Sequence, residues 1–509
     1  MDWSDGYVAD IPYISGFYRE LAPSYLSLAA RLHGQRAPDP AQPFRYAELG
    51  CGHGLGTNLL AAANPHGWFL GLDLLPAHIA NARELAADAG LENIRLSEAS
   101  FQEAAAWPDD ALPALDYIVL HGIYAWISPE NRAAIRRFIQ RFLRPGGLVY
   151  VSYNAMPGWA ALTPLQRLLR EHADRNPGRS DRQIDEALAF VERLREAGAG
   201  YFAQHPPVGD KIDGLGAGAD RAYLAHEYLN RASEPLYVTD AAAEMATARL
   251  DYAGSAHLLE AFRTLSVPAS LRPVLDETAD PLLRELLRDY AVNRLFRRDL
   301  FIKGARPATA TEQDAALLDT PLAPLLPREE MSTGFTAPVG EMAGEARIYT
   351  PLMDRLARGS WRLRELHEAT GLPVPELIQA CAVLTASGQA HPAVPGGDPE
   401  PARRLNAVLA ERFRRDEPQC HLAAPAVGSA LSVTDSEVLA LDELRRDAPG
   451  SARALARTLW REFCAVDRRL VRDGAVLEAE ADNLAELRRR GDDILRRRAP
   501  VWRGLGLLD

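Results

Sequence analysis

FRYAELGCGHGLGTNLLAAANPHGWFLGLD, residues 44–73, is the stretch whose reading decides the architecture. An apolar run from Phe44 to Leu49 carries one acid, Glu48, and ends in alternate glycines at Gly50, Gly52 and Gly54, before a helical stretch from Leu55 to Ala63. This reads as a strand, a tight turn and a helix. Glycine permits left-handed backbone angles and lets a ligand lie against bare main chain, while the helix that follows offers unpaired N–H groups and a positive dipole end. A second strand, Trp68 to Leu72, closes on Asp73. A carboxylate at a strand's C-terminal end can accept hydrogen bonds from both hydroxyls of a ribose, so the natural occupant is nucleotide-like.

The glycine spacing excludes a dinucleotide. That fingerprint needs glycines at the first, third and sixth places, and the sixth is Leu55 counted from Gly50 and Thr57 counted from Gly52. What remains, acid-x-Gly-x-Gly-x-Gly led by Glu48, resembles the first motif of class I S-adenosylmethionine (SAM) methyltransferases, with Asp73 in the place of their ribose-binding acid. The plainer alternative is a turn whose glycines serve only close strand–helix packing.

At 509 residues the chain exceeds a single core, and a usual domain size of about 100–200 residues predicts three or four domains. A hydrophobic fraction of 47% with 25% charged residues is that of an ordinary globular protein. The net charge of −12, with no sustained basic block, argues against nucleic acid or an anionic membrane surface as partner. Cys51, Cys381, Cys420 and Cys464 have no paired spacing, so neither a metal site nor a disulfide framework is expected. Without a signal-like N-terminus or a long apolar run, the expectation is a cytoplasmic protein with no membrane insertion. Only Lys211 and Lys303 among the 57 basic residues are lysine, which matches a GC-rich coding bias.

Helices and strands alternate onward from Asp73: a helix over 76–89, a third strand over 93–97, a fourth over 116–120 and a fifth over 148–153. That alternation predicts an α/β fold, a Rossmann-like parallel sheet with helices on both faces and ligands beyond the strands' C-terminal ends. The third strand leads to Ser100 and Phe101, expected to hold adenine. The fourth runs into HGIYAWISPENR and the fifth into SYNAMPGW, which bring His121, Tyr124, Trp126, Tyr153, Asn154 and Trp159 to one rim. Ring faces attract ammonium ions and still admit a neutral amine. The Asn/Asp-Pro-Pro-Tyr tetrapeptide of nucleic-acid amino methylation is absent, so DNA is not the expected substrate. Before the first strand, Trp3, Tyr7, Tyr13, Phe17, Tyr18 and Tyr25 form an aromatic cluster with two readings, a lid over the cofactor or a staple for an N-terminal helix.

The remainder reads as mostly helical. Ile184, Ala187, Leu188, Val191 and Leu194 recur at three- and four-residue steps, one apolar helix face. A Gly/Pro-rich loop is expected over 206–218, followed by a stretch in which Tyr223, His226, Glu227 and Asn230 either line a substrate groove or belong to a plain helix, the preferred reading. Residues 251–304 look helical. The predicted organisation is a SAM-binding domain with an N-terminal lid (1–160), a helical middle domain (161–305), a linker (306–345), a winged-helix-like unit (346–395) and a C-terminal helical domain (403–509). The third helix of the winged-helix pattern, over 374–387, has no lysine or arginine, so protein contact or packing is expected there, with a protein substrate or a second copy of the chain as partner. Removal of residues 346–509 is accordingly expected to leave SAM binding intact.

Seven segments together, VADIPYISGFYRELAPSYL, AELGCGHG, FLGLDLLPAHI, LDYIVLHGIYAWISPENR, LRPGGLVYVSYNAMPGW, YLAHEYLNRASEPLYVTDAAAEM and FRRDLFIKG, resemble the bacterial SAM methyltransferases that carry a methyltransferase regulatory domain. That family includes the rickettsial outer-membrane-protein lysine methyltransferases. The resemblance implies SAM as cofactor and S-adenosylhomocysteine as product. It implies cofactor contacts at Glu48, Gly50, Gly52, Gly54, Asp73 and Ser100; Phe101 and His121 are expected beside them. It further implies a transfer site of His121, Tyr124, Trp126, Tyr153 and Asn154, with lysine side chains of a protein or peptide as acceptors. In that scheme Tyr124 and Asn154 orient the amine, His121 helps release its proton through water, and Trp126 and Tyr153 wall the channel. The rivals are methylation of a small molecule or a ribosomally made peptide, and a non-catalytic SAM-binding assembly subunit.

Overall fold

The computed structural model describes residue 4 and residues 6–216, 220–417, 420–447 and 451–509. Five parallel strands, β1 (Arg45–Leu49), β2 (Trp68–Asp73), β3 (Ile94–Glu98), β4 (Leu115–Leu120) and β5 (Leu143–Asn154), lie in the order 3-2-1-4-5. Along them the side chains alternate between two buried faces. Ala47, Leu70, Leu72, Ile118, Leu120, Val149 and Val151 share one core with Ala134, Ile135 and Phe138. Tyr46, Phe69, Tyr117, Val119, Leu148 and Tyr150 share another with Leu26, Ala29 and Leu60. Burial on both faces is why these strands read as nearly continuous apolar runs. The covering helices are α1 (Pro23–Leu32), α2 (Leu55–Ala63), α3 (Pro76–Asp88), α4 (Phe101–Ala105) and α5 (Pro129–Phe142).

Beyond β5 come α6 (Thr163–Arg175), α7 (Ser180–Glu196), α8 (Gly200–Gln204), α9 (Pro206–Gly216), α10 (Arg221–Tyr228) and α11 (Val238–Ala246). Ile184, Ala187 and Val191 are fully buried along α7, as their spacing predicts. The expected loop over 206–218 is, as far as residue 216, the helix α9, with proline in its first turn, where the missing N–H costs nothing; 217 and 218 lie outside the described residues.

The chain then returns to the sheet, which corrects the helical expectation for 251–304. Strands β6 (Leu250–Ser255) and β7 (Phe296–Lys303) bracket α12 (Arg263–Ser266), α13 (Arg272–Glu277) and α14 (Pro281–Val292) and complete the order 3-2-1-4-5-7-6. β7 runs antiparallel to β5, from Leu148 opposite Ile302 to Asn154 opposite Phe296. Two of the charges that disguised β7, Arg297 and Asp299, are buried. Arg297, 2% exposed, donates to Asp299 at 2.9 Å and to Asp289 at 2.6 Å. Arg294 reaches Asp289 at 2.9 Å, and Tyr252 accepts from Arg297 at 2.8 Å. A buried guanidinium needs partners of this kind on every side.

Residues 306–345 hold a helix, Ala310–Leu318, and strands Pro321–Pro324, Gly334–Ala337 and Gly340–Ala343, so the expected linker is ordered structure. Helices Ala346–Leu356, Leu363–Thr370 and Val374–Ala386 follow. Strand Ala390–Pro392 pairs with the upstream Pro321–Pro324. Val374–Ala386 buries Leu377, Ala380, Cys381, Val383 and Leu384, a core helix. No helix among the described residues is long and apolar enough to cross a membrane.

The C-terminal region is not separable from the sheet domain. Leu55, Leu59 and Ala62 of α2 and Leu85 of α3 share one core with Leu405, Leu409, Phe413, Val427 and Leu431. The Asn64 amide donates to the Gly428 carbonyl at 2.9 Å, the Ser24 hydroxyl to Val427 at 3.0 Å and Arg404 to the Ala89 carbonyl at 3.0 Å. These contacts reverse the expectation for a truncated chain. Deleting residues 346–509 uncovers Leu55 and Leu59, a penalty of about 3–6 kcal/mol at about 1.5–3 kcal/mol each. The truncated chain is expected to melt far below the full chain and to lose SAM binding. Thermal melts with titration calorimetry check this, and a truncated chain with an unchanged Tm and affinity would refute it.

Candidate active site

A cavity of about 460 Å³ opens beyond the C-terminal ends of β1, β2, β4 and β5. At one end lies the glycine turn. Gly50 (φ +78°) and Gly54 (φ +70°) are packing glycines: an added Cβ would meet Ile123 Cδ1 at 2.1 Å and Ala82 Cβ at 2.4 Å. Gly52 (φ +54°) would meet nothing within 4 Å and lines the cavity. Packing therefore explains two glycines, while the third keeps main chain bare toward a ligand. α2 starts at Gly54 with no side-chain cap, which leaves its first N–H groups for an occupant.

Asp73 holds this end in shape. Its Oδ2 accepts the Gly52 N–H at 2.8 Å, and its Oδ1 accepts the Leu75 N–H at 2.9 Å and His78 Nδ1–H at 3.1 Å. The other ring nitrogen of His78 accepts the Tyr13 N–H at 3.3 Å, so the Asp73 bond must be a donation from Nδ1. Glu48 is buried and accepts the Thr57 hydroxyl at 2.5 Å. Burial, with the nearby Asp73 charge adding to it, pushes the Glu48 carboxyl up to about 7. Ser100 and Phe101 line the cavity, but the Ser100 hydroxyl also caps α4, accepting the Glu103 N–H at 3.1 Å and donating to its carboxylate at 2.9 Å.

Asn154 and Trp126 also line the cavity. Asn154 donates to Glu227 at 3.0 Å. Burial pushes the Glu227 carboxyl above the ordinary carboxylate range, and the Asn154 hydrogen bond and the Lys211 charge pull it part of the way back. Tyr13, Trp126, Trp159, Tyr223 and Lys211 share this cavity. His121 lines it too, stacked on Tyr18 with ring centroids 3.7 Å apart and hydrogen-bonded to the Tyr150 hydroxyl at 2.9 Å. Burial lowers its pKa to about 4.

Two expected residues do not reach the cavity. The Tyr124 hydroxyl is turned into the core, donating to Glu244 at 2.6 Å and accepting from Arg136 at 3.0 Å, because the loop folds back through Trp126 N–H to Ile123 O. Tyr153 shares the inner face of β5 with Val151 and donates to Asp299 at 2.5 Å, inside the Arg297 cluster. Their roles in orienting the amine and walling the channel fall away.

The N-terminal aromatics divide between the two readings. Tyr7, Tyr13 and Tyr18 line the cavity, whereas Phe17 packs near His421 and Tyr25 near His391, at 5.5 and 6.0 Å between ring centroids. Trp3 lies outside the described residues. α10 divides in the same way: Tyr223 and Glu227, one turn apart, face the cavity, while His226 bonds the Ile11 carbonyl at 3.2 Å and Asn230, just past the helix, accepts the Val8 N–H at 3.0 Å. That four-residue spacing was the available signal for Glu227. His78, in the first turn of α3, and Lys211, in the expected loop, were not singled out.

A seven-stranded sheet of this order, with a glycine turn bare to a cavity and an acid at the end of β2, defines a class I SAM-dependent methyltransferase. Comparison with known proteins agrees: the family model described as "Methyltransferase domain" matches residues 47–147, and "Predicted methyltransferase regulatory domain" matches residues 220–303. The protein sll1526 of Synechocystis is 34% identical over 516 residues, 100% of each chain. RP028 of Rickettsia prowazekii is 27% identical over 230 residues, 45% of this chain and 89% of its own. The solved structure of PKMT2 from Rickettsia typhi in complex with AdoHcy aligns over 98% of this chain and 100% of its own, with a TM-score of 0.70 at 18% identity. The chain belongs to the family of SAM-dependent methyltransferases that carry the methyltransferase regulatory domain.

The residues present fit that cofactor, since the bare main chain at Gly52 and the carboxylates of Asp73 and Glu48 suit a ribose and a cationic amino-acid portion. Asp73→Ala is expected to weaken SAM binding by about 1.5–3 kcal/mol, the worth of hydrogen bonds to a charged group. Calorimetry showing unchanged affinity would remove Asp73 from the site. Glu48 supplies a pH signature. Its folded value of about 7 lies above its ordinary 4.5, so between these values the folded chain keeps a proton that the unfolded chain has released. Stability contributed by that proton is present below pH 4.5 and is lost as pH rises through 7, an effect on the order of 3 kcal/mol. Glu48→Gln should flatten this part of the pH–Tm curve of the ligand-free protein, and identical slopes for both proteins would refute the assignment.

Proposed function

We propose that this methyltransferase acts on amines, with lysine side chains of a protein as its acceptors. The observation that carries the reading is the buried Asn154–Glu227 pair in the SAM cavity, among Tyr13, Tyr223, Trp126 and Trp159. A carboxylate among aromatic faces attracts an ammonium ion and disfavours a carboxylate substrate through like-charge repulsion. The family resemblance carried by HGIYAWISPE and SYNAMPGW supports the same reading.

SAM supplies a methyl carbon on a positively charged sulfonium, and the acceptor must meet it as a neutral amine. A free lysine pKa of about 10.4 makes deprotonation at pH 7 cost about 4–5 kcal/mol. In this reading Glu227 accepts the proton from the bound ammonium, and the low polarity of the cavity lowers the cost further. Asn154, with its amide nitrogen engaged by Glu227, offers its carbonyl oxygen to the amine and sets its direction. Trp126 and the N-terminal tyrosines exclude water. His121, neutral down to about pH 4, serves as a wall and a hydrogen-bond partner of Tyr150, not as the base.

Incubation with SAM and intact candidate proteins, followed by intact-mass and peptide mapping, tests the acceptor class; methyl groups on lysine are expected. Glu227→Gln and Asn154→Ala should lower kcat by about 10²-fold or more with SAM affinity unchanged. Because burial raises the Glu227 pKa, activity should fall on the acid side at a pH above the ordinary carboxylate range. Rates that are flat from about pH 6 to 9 with chemistry rate-limiting would overturn the amine reading. Failure to turn SAM over with protein, peptide or free-amine acceptors would favour a non-catalytic SAM-binding subunit.

A further inference from the structure

All but two of the 57 basic residues are arginine. A guanidinium keeps its proton in proteins and is a far poorer nucleophile than a lysine amine that has lost its proton. The two lysines are placed very differently. Lys303 donates to the carbonyls of Gln140 and Leu143, each at 2.7 Å, and so is fixed at the end of β7. Lys211 sits on α9 and lines the cavity that also holds Gly52, Asp73, Asn154 and Glu227. Among the described residues it has no hydrogen-bond or ion-pair partner, although its charge acts on Glu227. Its side chain is otherwise exposed, so a long flexible stem joins the solvent side of α9 to the cavity.

We propose that Lys211 is itself a methyl acceptor, modified in cis within the cavity of its own chain beside Asn154 and Glu227. The inference rests on the amine reading above and adds to it a modification site on the enzyme. The Lys211 ammonium gives one proton to the Glu227 carboxylate, and the freed lone pair on Nζ forms a bond to the methyl carbon. The sulfur–methyl bond breaks with its electron pair going to sulfur, which yields neutral S-adenosylhomocysteine and a methylammonium at Lys211. Glu227 then releases its proton to solvent. The reaction is self-limiting, since a trimethylated nitrogen has no lone pair left.

The direct test uses the unmodified full-length chain, incubated with SAM bearing deuterated methyl groups and a lysine-containing peptide, with peptide mapping of both. Label at Lys211, gained at a rate per molecule that does not change on dilution, is the expected result, and Lys211→Arg should abolish it. Label on the peptide without label at Lys211 would overturn the inference while sustaining the amine reading. Label on neither would overturn both. Label at Lys303 in place of Lys211, or a Lys211 rate that falls with enzyme concentration, would overturn modification in cis.

Discussion

The Asp73 carboxylate is the constraint on which the site depends. It receives the turn through Gly52, the start of α3 through Leu75, and the N-terminal segment through His78 and Tyr13. Three pieces of chain far apart in sequence therefore take their positions from one charged group. Its charge also bears on Glu48, which burial already disfavours as an anion. Two neighbouring carboxylates in a poorly solvated space are not ionised with equal ease, and the more buried one keeps its proton to higher pH. A cationic ligand reverses that preference, so occupancy of the cavity and the charge of Glu48 are linked.

The opposite edge of the sheet is governed by a different balance. Arg297, Asp289 and Asp299 are stripped of water together, which is costly, and only dense mutual bonding offsets it. Such a cluster adds little to net stability compared with an apolar core. Its value here lies in register: β7 can lie beside β5 only where Arg297 meets both acids and Tyr153 meets Asp299. That register brings Leu295, Phe296 and Arg298 to the cavity wall. The regulatory segment is thus part of the sheet and of the site.

Where the sequence could be read, the physics was local. Glu48, the three glycines and Asp73 follow from strand ends and turn geometry within thirty residues. β7 escaped notice because three consecutive charges, Arg297, Arg298 and Asp299, normally signal water, and nothing nearby in sequence announces that Asp289 and Glu285 will surround Arg297. Tyr124 and Tyr153 illustrate the same limit, since a tyrosine near a strand end serves a pocket or a buried carboxylate equally well. Glu227 was visible as one turn of a helix with Tyr223. Its meaning required Asn154, which arrives from another strand.

The shared core of α2 with residues 402–508 also bears on how the chain is made. The first turn of the cofactor site leaves the ribosome early, yet the outer face of its helix packs against Leu405, Leu409, Phe413, Val427 and Leu431, which follow more than 300 residues later. Contacts of that sequence separation are slow to form, because the intervening chain must be closed into a loop first. During synthesis the nascent sheet domain carries an uncovered leucine surface until those residues are made, the kind of surface that chaperones bind. A chain whose translation stops before residue 405 thus emerges with its cofactor helix half covered.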